Sequence, residues 1–192
     1  HELVTGTQLT MTQNKRVVLA KRPLGEPTDD CFKIEQVDIP ELKDNQILIQ
    51  VCWLSLDPYM RGRMNDVKSY AAPLGIGDVM TGESSGIVIK STSENYAVGD
   101  QVAAHMGWQS HIVSSDDDPR LMKVNLANGT LSEHLGVVGM PGRTAYFGLK
   151  DVGKPQVGET LVVAAASGAV GSVVGQMAKI LGLRAVGIAG GP

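Results

Sequence analysis

The chain has 192 residues with a hydrophobic content of 43%, which suits one or two globular domains with a sizeable core. Its longest apolar run, residues 161–166, is far shorter than the about 20 residues of a membrane span, and no signal-peptide pattern opens the sequence, so we expect a cytoplasmic protein without a membrane partner. The net charge of −3 argues against a nucleic-acid partner, whose phosphates need a basic face.

The residue pattern in the first part of the chain is mostly typical of β-strands. Residues 1–12 lack periodicity and contain a natural start at Met11, so they are expected to be a cloning remnant or a disordered start. Short strands separated by turns then favour a barrel-like domain. The predicted strands are 17–20, 32–39, 47–54, 86–89 and 101–104, and the apolar residues of 47–54 predict burial on both faces.

A short helical turn is predicted at the Asp57-Pro58 pair. Aspartate is a good N-cap, and proline is tolerated at the first helical position because its missing N–H would be unpaired there anyway. Tyr59 follows on this turn.

After residue 126 the pattern becomes α/β. Helices are predicted at 131–138 and 143–149, with Pro141-Gly142 between them. A strand at 160–166, buried on both faces, then a helix at 169–181, a left-handed stop at Gly182 and a strand at 183–189 form one strand–helix–strand unit.

Residues 165–171 form a glycine fingerprint between that strand and helix, with Ala165 in the place of the first glycine. Bound pyrophosphate needs backbone N–H groups at a helix N-terminus without side chains in the way. Gly168 would allow close approach, while Gly171 and Gly175 would let the helix pack on the sheet. The alternative is a glycine-rich packing turn, but the strand before the motif and the helix after it favour dinucleotide binding.

The second strand of this unit indicates which dinucleotide is bound. NAD enzymes usually carry an acid near its end to hold the ribose hydroxyls, and residues 187–192 contain none. This favours NADP, whose 2′-phosphate a carboxylate would repel. The basic residue that grips the phosphate would lie beyond Pro192.

Three motifs resemble the prostaglandin and leukotriene reductase branch of the zinc-independent medium-chain dehydrogenase/reductases, which includes the curcumin reductase type. They are LSLDPYMR at 54–61, GMPGRTAYFGL at 139–149 and AASGAVGSVVG at 165–175. The resemblance implies a β-rich GroES-like barrel domain at 13–130. The start of an α/β Rossmann domain, with its linking helices, would follow at 131–192. It also implies a homodimer.

The same resemblance implies functional residues. Tyr59 matches an aromatic position at the active-site mouth, which makes it the candidate catalytic residue, or a phenol packed on the barrel rim. Met140 and Thr144 are candidate contacts near the nicotinamide. The NADP pyrophosphate would be held by the loop residues Ser167, Gly168, Ala169, Val170 and Gly171.

No metal site is predicted. Zinc-dependent relatives have a cysteine ligand where this chain has residues 56–58, and their Gly-His-Glu motif appears here as Gly82-Glu83. The two cysteines, Cys31 and Cys52, form no CxxC pair and are expected to be free buried thiols. Two sets of residues are expected not to bind metal: the three aspartates at 116–118, as a solvated loop, and His105, His111 and His134, as core or solvent-facing histidines.

The reaction that this reasoning favours is NADPH-dependent reduction of the C=C bond of an α,β-unsaturated ketone or aldehyde. Tyr59, the cofactor ribose or a phenol outside this chain would hydrogen-bond the developing enolate. A quinone reductase of the same superfamily and a non-catalytic cofactor-binding or interaction fragment are the alternatives. Because a dinucleotide domain needs about six strands, the chain is expected to be truncated and inactive alone. The sequence does not identify the substrate.

Overall fold

The structure, a computed structural model, describes residues 13–69 and 71–190; the expectation for residues 1–12 lies outside this part. The chain divides into two compact units, His1–Met122 and Lys123–Pro192. Among the described residues no helix is long and apolar enough to cross a membrane. The domain ranges 13–130 and 131–192 stay a prediction.

The first unit is built from β-strands. They are β1 (Gln13–Leu19), β2 (Phe32–Asp38), β3 (Gln46–Leu54), β4 (Ser84–Ser91), β5 (Gln101–Ala104), β6 (His111–Ser115) and β7 (Met122–Lys123), with a 3₁₀ turn at Asp29–Cys31 and helix α1 at Tyr59–Arg63. β1 and β2 form an antiparallel pair, and the other strands form one sheet in the order β6-β3-β4-β5-β7. The five predicted strands are therefore present.

β3 lies at the centre of the core of this unit. Ile47, Leu48 and Ile49 are buried, so the first half of the strand is covered on both faces. The prediction of two-sided burial is wrong for the second half, because Trp53 is 54% exposed and Cys52 is exposed as well. The pairing of β3 with β4 is irregular between Val51 and Trp53, where the register skips Cys52, and it resumes with Trp53 opposite Ser85.

A second core cluster supports helix α1. Met64, one residue beyond the helix, packs with Leu19, Cys31 and Met80, and all four side chains are at most 2% exposed. Cys31 is thus a free buried thiol as predicted, whereas the same prediction is wrong for Cys52, which lies on the exposed end of β3. The cluster fixes the base of the helix that begins with Tyr59.

The start of α1 differs from the prediction in one respect. Pro58 is the N-cap residue and no side chain caps the helix. The main chain of Asp57 takes part instead, since its carbonyl oxygen accepts from the Met60 N–H at 3.1 Å. The side-chain carboxylate of Asp57 therefore does not cap the helix, and its negative charge acts on Tyr59.

The second unit contains the predicted strand–helix–strand unit. Its elements are a 3₁₀ turn at Glu133–Leu135, α2 (Met140–Phe147), a π-helical turn (Gly148–Gly153), β8 (Thr160–Ala164), α3 (Ala169–Ile180) and β9 (Arg184–Ile188). β8 and β9 pair in parallel. The chain leaves α3 through Gly182, whose φ of 72° confirms the left-handed stop.

Two sequence predictions for this unit are wrong. The helix expected at 131–138 is reduced to one 3₁₀ turn, because Gly136 leaves the helical region at φ −113° and ψ −109°. Pro141 and Gly142 lie inside the first turn of α2 and not between two helices. Proline is tolerated there because a helix does not use the N–H of its first residues.

The burial expected for both strands is also wrong in this chain. Val162 and Ile188 are each 58% exposed, and Val163 is the buried residue of β8. A two-stranded sheet leaves most of its side chains without neighbours.

Candidate functional site

The glycine loop leaves β8 through a left-handed turn. Ala165 has φ +50°, a conformation that costs a residue with a Cβ roughly 1–2 kcal/mol. Its carbonyl oxygen accepts from the Gly168 N–H at 2.9 Å, while the Ala166 N–H donates to Ile188 O at 3.0 Å and extends the pairing with β9. These bonds fix the loop before α3 begins.

Two loop positions differ in how much space they offer. A Cβ on Gly171 would lie 2.3 Å from Ala165 O and 2.9 Å from the Cα of Ala166, so only glycine fits. A Cβ on Gly168 would lie 3.1 Å from the same oxygen. A Cβ on Gly175 would meet nothing within 4 Å in the described chain, so the packing role expected for Gly175 is wrong there.

The N-terminus of α3 offers unused donors. No side chain caps the helix, and the Ser172 N–H donates to Gly168 O at 2.9 Å. The N–H groups of Ala169, Val170 and Gly171 precede that bond and have no acceptor within the helix. With the exposed Ser167 beside them, they form a cradle that fits a phosphate group.

Met140 and Thr144 lie together on α2, which packs against α3 in the same unit. The Thr144 hydroxyl donates to Met140 Sδ at 3.6 Å. The helix can start here because Gly142 has no side chain: a Cβ there would lie 1.7 Å from Val137 O. Thr144 is exposed and available to a ligand.

Tyr59 lies in a polar cluster of the first unit. Its hydroxyl is buried and has no hydrogen-bond partner among residues 13–69 and 71–190. Burial, followed by the negative charges of Asp57 and Glu83, raises the pKa of the Tyr59 phenol above its ordinary value of 10.0, and nearby Thr81 and Arg63 oppose this rise. The ring lies 6.4 Å from that of His105, tilted by 31°.

Thr81 and His105 are functional candidates that the sequence reasoning missed. Thr81 Oγ1 and His105 Nε2 form a hydrogen bond of 2.6 Å. The two residues are 24 positions apart, and the antiparallel pairing of Ser84 with Ala104 brings their flanking segments together. Only this strand register predicts that the two residues lie close together, because their spacing in the sequence does not.

The remaining polar residues singled out in the sequence lie in other surroundings. His111 is buried on β6 with Nδ1 at 3.0 Å from Ser110 Oγ, and His134 Nδ1 lies 2.9 Å from Thr130 O. Asp116 accepts from Ser93 Oγ at 2.5 Å. Over the described ranges no group of three or more His, Cys, Asp or Glu side chains could hold a metal ion.

A β-rich unit followed by a parallel βαβ unit with an open glycine loop is typical of a dinucleotide-dependent oxidoreductase. Residues 15–124 match the family model for the N-terminal domain of oxidoreductase, and the chain belongs to this family.

Comparison with known proteins indicates the branch of the family to which the chain belongs. The chain is 49% identical to the NADPH-dependent curcumin reductase of Escherichia coli (strain K12), covering 93% of this chain and 51% of that protein. It is 42% identical to prostaglandin reductase 1 of Bos taurus, covering 94% and 53%. The crystal structure of CurA from Vibrio vulnificus in complex with NADPH has a TM-score of 0.86 at 49% identity, covering 93% and 52%.

The chain therefore spans about half the length of the relatives that it matches. The similarities confirm the predicted prostaglandin reductase and curcumin reductase branch of the zinc-independent medium-chain dehydrogenase/reductases. They also confirm the predicted fold class, a GroES-like domain followed by the start of a Rossmann domain.

Proposed function

We propose that this protein uses NADPH to reduce the C=C bond of α,β-unsaturated ketones or aldehydes. The observation that carries the proposal is the open cradle at the start of α3, where Gly171 leaves no room for a Cβ and the first helical N–H groups have no acceptor within the helix. The relatives named as NADPH-dependent curcumin reductase and prostaglandin reductase 1 supply the substrate class.

Three features support NADPH as the cofactor. Residues 187–190, at the end of β9, contain no acid that would repel a 2′-phosphate. Gly187 lets the end of β9 lie close to the glycine loop, because a Cβ on residue 187 would lie only 2.8 Å from Ala166 Cβ. The CurA structure of the same branch is described in complex with NADPH. We assign the pyrophosphate to residues 167–171 and the nicotinamide end to Met140 and Thr144.

Bound NADPH supplies a hydride for the β-carbon of the conjugated substrate. As negative charge moves to the carbonyl oxygen, Tyr59 donates a hydrogen bond to it. The Tyr59 phenol is protonated at neutral pH, because its pKa is raised above 10.0 by burial and by the charges of Asp57 and Glu83. The unpaired hydroxyl is free to make that bond.

We also propose, from the resemblance to the prostaglandin and leukotriene reductase branch, that the protein is a cytoplasmic homodimer. Light scattering of the intact protein measures its mass in solution, and a monomer at micromolar concentration contradicts the dimer.

The test of the function is NADPH oxidation by the intact protein with a conjugated enone and, separately, with a quinone. We expect turnover with the enone and a product saturated at the C=C bond, identified by mass spectrometry. Turnover of the quinone alone would establish the alternative reductase. Saturable NADPH binding without turnover of either substrate would establish a non-catalytic binding protein.

A further inference from the structure

We propose that His105 and Thr81 form a path that supplies a proton to the Tyr59 hydroxyl. The proposal rests on the enone reductase function, because that reaction consumes one proton for each hydride it transfers. Neither residue belongs to the sequence motifs of the branch described above, and both come from the strand register of the first unit.

The first link of the path is the short contact between the two side chains. His105 Nε2 and Thr81 Oγ1 are 2.6 Å apart, and Thr81 is only 8% exposed. This partly buried contact fixes the position of the threonine hydroxyl. A hydroxyl can accept one proton and donate another, which is the property that a relay needs.

The second link joins Thr81 to Tyr59. The phenol oxygen is buried without a hydrogen-bond partner in the described part of the chain. Thr81 is close enough to lower the pKa of this phenol against the effect of burial. The ring centroids of Tyr59 and His105 are 6.4 Å apart, so the phenol, the imidazole and the Thr81 hydroxyl lie in one small cluster.

His105 is also one of the residues that line a cavity of the first unit. This cavity has a volume of about 240 Å³ and is lined by His105, Ser114, Asp118 and Arg120, among others. It is large enough for several waters and offers them polar partners. His105 thus borders this cavity and also contacts the Thr81 hydroxyl.

The charges around His105 come from several elements. Burial lowers the pKa of His105 below its ordinary value of 6.5, Arg120 and Arg63 lower it further, and Glu83 and Asp57 act in the opposite direction. The ring is therefore neutral at pH 7, with one protonated nitrogen and one that can accept. A neutral imidazole can pass a proton on without holding a permanent charge in the site.

The transfer balances as follows. When the enolate oxygen takes the proton of the Tyr59 phenol, an enol forms, Tyr59 takes the proton of Thr81, and Thr81 takes the proton of His105 Nε2. The enol becomes the saturated ketone or aldehyde when its α-carbon takes a proton from water and its oxygen returns one to water. His105 regains a proton at Nδ1 from water in the cavity, and proton exchange with water returns the ring to the Nε2–H form before the next cycle. The O–H and N–H bonds broken along the path are replaced one for one, and the net change is the uptake of one solvent proton.

The kinetic test compares variants of Thr81 and His105 in the intact protein. For His105→Gln and Thr81→Val we expect kcat for the enone to fall about tenfold or more, with a larger solvent deuterium isotope effect and little change in KM. Thr81→Ser keeps the hydroxyl and should restore kcat. His134→Gln, in the second unit, should leave both kcat and the isotope effect unchanged.

A merely structural role would give a different result. Equal losses in Thr81→Val and Thr81→Ser, or an unchanged solvent isotope effect in His105→Gln, would overturn the path. These outcomes leave the enone reductase function intact, because the unaltered protein still turns over.

A second measurement does not depend on turnover. The imidazole resonances of His105 are followed by NMR against pH in the unaltered protein and in Tyr59→Phe and Thr81→Val. If the three side chains are linked, the titration curve of His105 should be shifted in both variants. Identical curves in all three proteins overturn the link. A protein that binds NADPH but reduces no enone contradicts the proposed function, and the NMR curves then decide on the link separately.

Discussion

The carbonyl oxygen of Ala165 lies 2.3 Å from the position that a Cβ on Gly171 would occupy. That oxygen also accepts the Gly168 N–H at 2.9 Å, so it cannot move without opening the loop. The left-handed conformation of Ala165 aims the carbonyl at the helix. The turn that shapes the cofactor cradle therefore also requires glycine at position 171.

The first prediction compares Gly171→Ala with Gly175→Ala in the same helix. The methyl group at position 171 would displace the Ala165 carbonyl, so we expect NADPH to bind at least about tenfold more weakly, a loss of about 1.4 kcal/mol. At position 175 a methyl meets nothing within 4 Å, and alanine favours the helix by about 1 kcal/mol. NADPH fluorescence titration and thermal unfolding measure both effects.

Equal NADPH affinity of the two alanine variants would contradict the assignment of the cradle to this loop. A loss in Gly175→Ala alone would move the binding surface to the exposed side of α3.

The second prediction compares Tyr59→Phe with Tyr146→Phe. Removing the Tyr59 hydroxyl deletes the donor to the enolate, so kcat should fall about 10²-fold while NADPH affinity stays constant. Tyr146 is 45% exposed beneath Lys150, and its phenylalanine variant retains that contact and should keep full activity. Steady-state kinetics with one enone measure the difference.

The pH profile adds a second check on Tyr59. Since its pKa lies above 10.0, deprotonation of the phenol should cause no loss of activity between pH 7 and 9. A rate that falls in this range in the unaltered protein but not in Tyr59→Phe would contradict the raised pKa.

Residue pattern alone predicted those parts of the fold whose cause is local. The strand–helix–strand order and the stop at Gly182 follow from hydrophobic period and glycine geometry. The failed helix at 131–138 depended on Gly136, which leaves the helical region at φ −113° and ψ −109°. Without a side chain, glycine adopts many backbone conformations, so its identity alone does not predict this one. The pair Thr81 and His105 depended on strand register, which is set by long-range pairing.

The third prediction concerns stability in mild acid. Burial lowers the pKa of both His105 and His111 below 6.5, so the unfolded chain binds protons more readily than the folded one. Their contribution is complete above pH 6.5 and is lost as the pH falls below that value. The free energy of unfolding should decline from pH 7 to 5.5, and the decline should be smaller in His111→Gln.

The carboxylates do not contribute to this window. Asp118 has a lowered pKa because it accepts hydrogen bonds from Arg120, so its contribution is lost below the ordinary value of 3.8. A stability that is flat from pH 7 to 5.5 would contradict the lowered histidine pKa values.

The fourth prediction compares Gly182→Ala with Gly148→Ala. Gly182 has φ +72°, and a Cβ there would also lie 3.3 Å from Val157 Cγ1, so alanine should destabilise the second unit by about 1 kcal/mol. Gly148 has φ −59° and open space around it, and alanine should be neutral or stabilising there. Thermal unfolding of the intact protein, with hydrogen exchange at β8 and β9, measures the change. Equal effects of the two substitutions would mean that the turn after α3 relaxes freely and does not fix how the helix returns to β9.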